Sequence, residues 1–124
     1  VDLVPDLGAA VAAATDRLQA DIAAVTDAVA VPVRVIAETG LTPPAAVERI
    51  GAAAVAAGAA GLKTSTGYGG EGATVPAVRQ LAAHLPVKAS GGIRTTDDAL
   101  RLLEAGATRL GTSAGPAVLA DTPE

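Results

Sequence analysis

The sequence predicts an α/β fold built on a parallel sheet. Short β-prone runs alternate with longer helix-forming stretches along all 124 residues. Each strand-like run carries one charged residue: Asp2, Arg34, Lys63, Lys88 and Arg109, spaced by 32, 29, 25 and 21 residues. Alternation at that spacing means right-handed βαβ units, whose successive strands lie parallel.

Residues 1–4 read as a short strand ended by Pro5-Asp6-Leu7-Gly8. Residues 9–29 read as one helix, with Leu18, Ile22, Val25 and Val29 at spacings of three and four. Residues 31–37 form the next strand, and Pro32 sits early in it, where a missing N–H matters least. Thr42-Pro43 signals an N-cap and a first helical turn. That helix buries Val47, Ile50, Ala54 and Val55 and stops at Gly58.

Residues 61–65 are a third strand, running into the glycine-rich loop 67–72. Thr74 caps a helix with Pro76 in its first turn and Val78, Leu81 and Ala82 inward. Residues 86–89 are a fourth strand. Thr95 or Thr96 caps the next helix, with Asp97 and Asp98 where the helix dipole favours acids. Its inward side is Ala99, Leu102 and Leu103, and Gly106 ends it. Residues 108–112 are a fifth strand, followed by Ser113-Ala114-Gly115-Pro116, with room for a brief helical turn.

Composition excludes several function classes. There is no cysteine, so no disulfide framework and no thiolate metal site. His84 is the only histidine, which removes His-cluster metal sites and argues against a Ser-His-Asp triad; its expected place is the surface near a helix end. The formal charge is −4 with scattered basic residues, so nucleic acid is not an expected partner. No apolar run reaches the ~18–20 residues of a membrane span, and no signal-peptide pattern opens the chain. A cytoplasmic protein is expected. Asp2 inside an apolar run, with no initiator Met, points to a start within a domain. The core must be packed from Ala, Val, Leu and Ile, because Phe, Trp and Met are absent.

The two lysines stand out against seven arginines. Both lie where a strand-like run meets a glycine-rich loop. Arg stays protonated, whereas a desolvated or crowded Lys can lose its proton and attack a carbonyl. Lys63 and Lys88 in one site would disfavour each other's charge, and Asp2 would pass protons. Solvated strand ends are the alternative. Thr64, Ser65 and Thr66 either orient the lysine or serve β-structure and turns. Glu38 is either a site carboxylate or a turn acid, and Arg34 is expected to be paired structurally. Gly91, Gly92 and the segment 111–113 either offer backbone N–H groups to a phosphate or form tight turns. The loop 67–72 lacks the Lys-Ser/Thr ending of a Walker loop and is weak support for a nucleotide.

A (β/α)8 barrel keeps its chemistry at the C-terminal ends of its strands, often with a phosphate site after strands 7 and 8, and takes about 250 residues. Five strands and four helices amount to a partial barrel, expected to be one domain over residues 1–124.

The motifs Val1-Asp2-Leu3-Val4, Val35-Ile36-Ala37-Glu38-Thr39-Gly40-Leu41, Leu62-Lys63-Thr64-Ser65-Thr66-Gly67-Tyr68, Val87-Lys88-Ala89-Ser90-Gly91-Gly92-Ile93-Arg94-Thr95 and Gly106-Ala107-Thr108-Arg109-Leu110-Gly111-Thr112-Ser113 span almost the whole chain. In order and spacing they resemble the deoxyribose-phosphate aldolases, class I aldolases on a TIM barrel, and specifically the C-terminal half of that barrel. The resemblance implies a Schiff base between Lys63 and acetaldehyde, with Lys88 perturbing it and exchanging protons, and Asp2 in the proton relay. Thr66 lies in the same motif, and Gly91, Gly92, Gly111 and Ser113 fall at phosphate-binding positions. It implies reversible cleavage of 2-deoxy-D-ribose 5-phosphate to D-glyceraldehyde 3-phosphate and acetaldehyde, with no metal or organic cofactor, and a homo-oligomer as a possible assembly. The chain departs from many members at Asp6, Tyr68 and Ala114. Read alone, five strands leave two open edges and an uncovered apolar inner face. The expectation is a chain that is poorly soluble, loosely folded or oligomeric by itself. A truncated, inactive barrel piece that binds a phosphate ligand or a partner chain is the alternative, and another sugar-phosphate barrel enzyme is a third.

Overall fold

A computed structural model describes residues 1–122. Five strands run β1 (Asp2–Leu3), β2 (Arg34–Ile36), β3 (Gly61–Lys63), β4 (Val87–Ser90) and β5 (Ala107–Gly111). They form one sheet in the order β1-β2-β3-β4-β5, every pair parallel. The helices are α1 (Leu7–Val11), α2 (Thr15–Ala28), α3 (Pro44–Ala56), α4 (Val75–Ala82), α5 (Thr96–Glu104) and α6 (Gly115–Ala120). Strand order follows chain order, so right-handed crossovers put the connecting helices on one face. Among the described residues β5 does not pair with β1, and the sheet stays open.

The core lies between sheet and helices. Val35, Leu62, Val87 and Ala89 point there and are fully buried, against Leu18, Ile22, Ile50, Val78 and Leu81. The other face differs from the expected apolar surface. Register aligns Asp2 with Arg34 and Arg34 with Gly61; one layer on, Ile36 meets Lys63, Lys63 meets Lys88 and Lys88 meets Arg109. Partners in register share a face, so the uncovered side is lined mainly by charge. Gly61 is closely packed here: an added Cβ would lie 3.1 Å from Pro86 O and 3.8 Å from Arg34 Cγ. A register shift between Val87 and Lys88 brings Arg109 rather than Thr108 beside Lys88.

Several local expectations change. The helix expected over 9–29 is two helices, because Ala13 takes φ 58° and breaks the run. Asp6 starts the first by accepting from Ala9 N at 2.8 Å, and its carboxylate also pairs with Arg17 at 2.8 Å. Six helices are present among the described residues, against four expected. Thr42 does not cap α3. Its hydroxyl donates to the Ala37 carbonyl at 2.8 Å, and Pro43 occupies the N-cap. Val55, Ala82 and Leu103 face outward. Thr74 caps α4 and Thr95 caps α5 as expected, the latter in a full capping box with Asp98. Gly58 and Gly106 follow their helices at φ 79° and 113°, conformations that glycine adopts without a Cβ clash. His84 follows the end of α4, as expected, and is partly buried: its side chain is 16% exposed and meets Glu48 Oε1 at 2.9 Å. It packs so tightly on Gly51 that an added Cβ there would lie 2.5 Å from its ring.

Candidate active site

Lys63 ends β3 and Lys88 sits in β4, paired in register on the open face. The Lys63 side chain is 16% exposed. Asp2 belongs to β1, two strands away, yet its Oδ2 lies 3.2 Å from Lys63 Nζ. The contact crosses over β2, as inward side chains of alternate strands do in a barrel. The same carboxylate meets Arg34 Nη1 at 3.5 Å, so Arg34 is paired structurally, as expected.

A pocket of about 490 Å³ opens at the C-terminal ends of β3, β4 and β5. Lys63, Lys88 and Thr66 line it, as do Gly91, Gly92, Gly111 and Ser113. Seven of the eight residues singled out in the sequence thus face one cavity. Asp2 is the eighth. It lines a separate hollow of about 670 Å³, together with Arg34, Lys88 and Arg109, and reaches the first cavity only through Lys63. Lys88 borders both spaces.

The loop chemistry explains how these residues converge. Gly91 and Gly92 have φ 91° and 76°, a turn that side-chain-bearing residues resist. The turn packs on the far end of the glycine-rich loop, since an added Cβ at Gly91 would lie 2.9 Å from Gly72 Cα. Ala73 N donates to Gly91 O at 3.0 Å. Gly111 leaves room for the second lysine: an added Cβ would fall 3.0 Å from Lys88 Cε. Thr112 donates to Ile93 O at 2.6 Å and accepts from Ala114 N at 2.9 Å, tying the two glycine-containing loops together.

The hydroxyl residues after Lys63 have separate jobs. Thr64 is fully buried and clasps β4, donating to Ser90 O and accepting from Ser90 N, both at 3.0 Å. It does not orient the lysine. Ser65 is buried, its carbonyl accepts from the Ser90 hydroxyl at 2.8 Å, and its own hydroxyl has no partner. Thr66 alone reaches the cavity.

Glu38 is neither a plain turn acid nor a group lining the cavity. It is 5% exposed, with φ 49°. A left-handed backbone at a residue with a Cβ costs about 1–3 kcal/mol. Its carboxylate accepts from Thr66 N at 3.1 Å and from Thr66 Oγ1 at 2.6 Å. Its own carbonyl accepts from Leu41 N and Thr42 N. Thr112, within the segment 111–113, lines the cavity too, as do Ser90, Ile93 and Arg94, which the sequence reading does not mark as site residues. Their only sequence signal is proximity to the glycine pairs. Tyr68 is 99% exposed at the cavity mouth. No group of three or more His, Cys, Asp or Glu suited to a metal occurs among the described residues. No helix among them is long and apolar enough to cross a membrane.

No protein-family model matches the chain. The chain is 47% identical over 125 residues to the deoxyribose-phosphate aldolase of Thermus thermophilus, covering 97% of this chain and 57% of the relative. Among solved structures, one from Coccidioides immitis, determined as a candidate deoxyribose-phosphate aldolase, superposes with a TM-score of 0.91 at 34% identity, over 97% of this chain and 51% of that one. The deoxyribose phosphate aldolase of Aeropyrum pernix, described as having a tetrameric structure, matches with a TM-score of 0.81 at 31% identity, over 96% of this chain and 53% of that one. The chain therefore spans about half the length of the relatives it matches. With its five-stranded parallel sheet and paired lysines, the chain resembles the deoxyribose-phosphate aldolases over nearly its whole length.

Proposed function

We propose that the protein to which this sequence belongs is a class I aldolase, a lyase that reversibly cleaves 2-deoxy-D-ribose 5-phosphate. The observation that carries this reading is the Asp2–Lys63 contact of 3.2 Å, with Lys88 in register beside Lys63. In the cleavage direction, neutral Lys63 Nζ adds to the C1 aldehyde carbon of the open-chain sugar. Loss of water gives an iminium. The C3 hydroxyl then gives up its proton, the C2–C3 bond breaks, and its electron pair moves into the iminium to form an enamine. D-Glyceraldehyde 3-phosphate departs. Protonation of the enamine at its terminal carbon and hydrolysis release acetaldehyde and regenerate Lys63.

Lys88, in register beside Lys63, takes the role of proton donor and acceptor. Asp2 relays protons to and from Lys63, directly or through water. The phosphate is assigned to the backbone at Gly91, Gly92 and Gly111 and to the Ser113 hydroxyl, all on the cavity wall. Thr66 contacts the sugar portion. The electron sink is the iminium itself, so the scheme calls for no added cofactor. Residues 1–124 form one partial-barrel domain in this reading. Self-association fits the tetramer described for the Aeropyrum pernix relative. A cytoplasmic setting fits a phosphorylated substrate, which does not cross a bilayer unaided.

One observation favours a second reading. Both sheet edges are open among the described residues, so this chain by itself can be an inactive barrel piece that binds a phosphate ester or a partner chain. Borohydride reduction in the presence of acetaldehyde separates the two. An aldolase gives a reduced adduct on Lys63, and a binding remnant gives phosphate-ester binding with no adduct. Lys63→Arg tests a different sugar-phosphate chemistry in the same way, because activity that survives it needs no imine.

A further inference from the structure

The structure assigns Glu38 a positioning role: it holds Thr66 as a hydrogen-bond acceptor for a hydroxyl of the bound sugar phosphate. This rests on the sugar-phosphate reading of the cavity. A threonine hydroxyl has one proton and two lone pairs. The Thr66 proton is committed to Glu38 Oε2 at 2.6 Å, a short, charge-assisted bond. One lone pair accepts from Tyr68 N at 3.1 Å. What Thr66 retains for a ligand is a single acceptor position, on a residue that lines the cavity with Lys63.

Glu38 is built for that task rather than for contact with substrate. It is buried outside the cavity lining, and its second oxygen holds Thr66 N at 3.1 Å, so backbone and hydroxyl are fixed together. Its strained φ of 49° is locked by Leu41 N and Thr42 N on its carbonyl. The glycine-rich loop closes over it, as an added Cβ at Gly69 would lie 3.7 Å from Glu38 Cδ. A carboxylate can accept both Thr66 bonds at once. A carboxamide accepts at only one end, so in the same pose its NH2 would face either Thr66 N or the Thr66 hydroxyl proton.

The test compares binding of glycerol 3-phosphate with binding of propyl phosphate, which lacks its hydroxyls, by titration calorimetry. The wild-type protein is expected to prefer glycerol 3-phosphate by about tenfold, the worth of one well-placed hydrogen bond. Thr66→Val removes the preference, Thr66→Ser keeps it, and Glu38→Gln lowers it severalfold while propyl phosphate binds as before. The wild-type protein is also expected to give a slowly exchanging, downfield Thr66 hydroxyl proton by NMR, a readout that does not depend on Glu38→Gln folding. Absence of that resonance, no wild-type preference, or a full preference in Thr66→Val or Glu38→Gln each overturns the inference. Acetaldehyde trapping is run in parallel. No imine together with an intact hydroxyl preference would sink the aldolase reading and leave the Glu38 role standing.

Discussion

Asp2 and Lys63 are 61 positions apart in the chain, sit on strands separated by a third, and bring carboxylate and amine to 3.2 Å. The carboxylate is also shared with Arg34 at 3.5 Å. An anion placed between a fixed guanidinium and a lysine is oriented toward the amine and still reaches solvent, which suits a group that shuttles protons.

Asp2→Asn keeps a polar group of the same size but cannot carry a proton. Turnover of 2-deoxy-D-ribose 5-phosphate by the whole protein is expected to fall about 10²–10⁴-fold, with the Lys63 adduct still trapped by borohydride. Steady-state kinetics and mass spectrometry on the same sample check both halves. Unchanged turnover would remove Asp2 from the relay.

The clasp between β3 and β4 is open to a stability test. Thr64→Val removes one hydroxyl that both donates to and accepts from the Ser90 backbone. It leaves buried polar groups short of a partner, at a cost of about 1–3 kcal/mol. A lower urea midpoint with an unchanged slope is expected. An unchanged midpoint would mean that water or a neighbour replaces the hydroxyl.

Acid stability should follow Asp98. Hydrogen bonds from the Arg94 backbone, then from Thr95, hold its carboxyl below the ordinary value of 3.8. The folded state thus favours the ionised form, and the cap's electrostatic contribution is complete above pH 3.8 and disappears as pH falls through the lowered value. Asp98→Asn is expected to lower Tm at pH 6 and to match the wild type near pH 2. A Tm gap that stays constant with pH would show that charge has no part in this cap.

Some of this was legible in the sequence, for physical reasons that can be named. Short β-prone runs stand out between helix-forming stretches even when brief, so all five strands are legible, each with its one charged residue. The Thr74 and Thr95 caps announce themselves because their side chains replace missing backbone partners. The break at Ala13 gave no signal: alanine is a good helix former, and only tertiary packing sends it to φ 58°. Thr42 was misread because a Thr-Pro pair fits a cap as well as it fits the bond to Ala37 O. The open inner face was expected to be apolar, and the register of Asp2, Arg34, Lys63, Lys88 and Arg109 makes it charged. The place of Asp2 came from motif resemblance, since no local spacing encodes a contact across β2. The sequence alone does not separate the two roles of Glu38, because its partner, Thr66, lies 28 residues on.

The most direct measurement is borohydride trapping of the protein with acetaldehyde, followed by peptide mapping. The expected result is a reduced two-carbon adduct on Lys63, lost in Lys63→Arg. An adduct on Lys88 alone, or no adduct in a folded full-length protein, would contradict the assignment of Lys63 as the nucleophile.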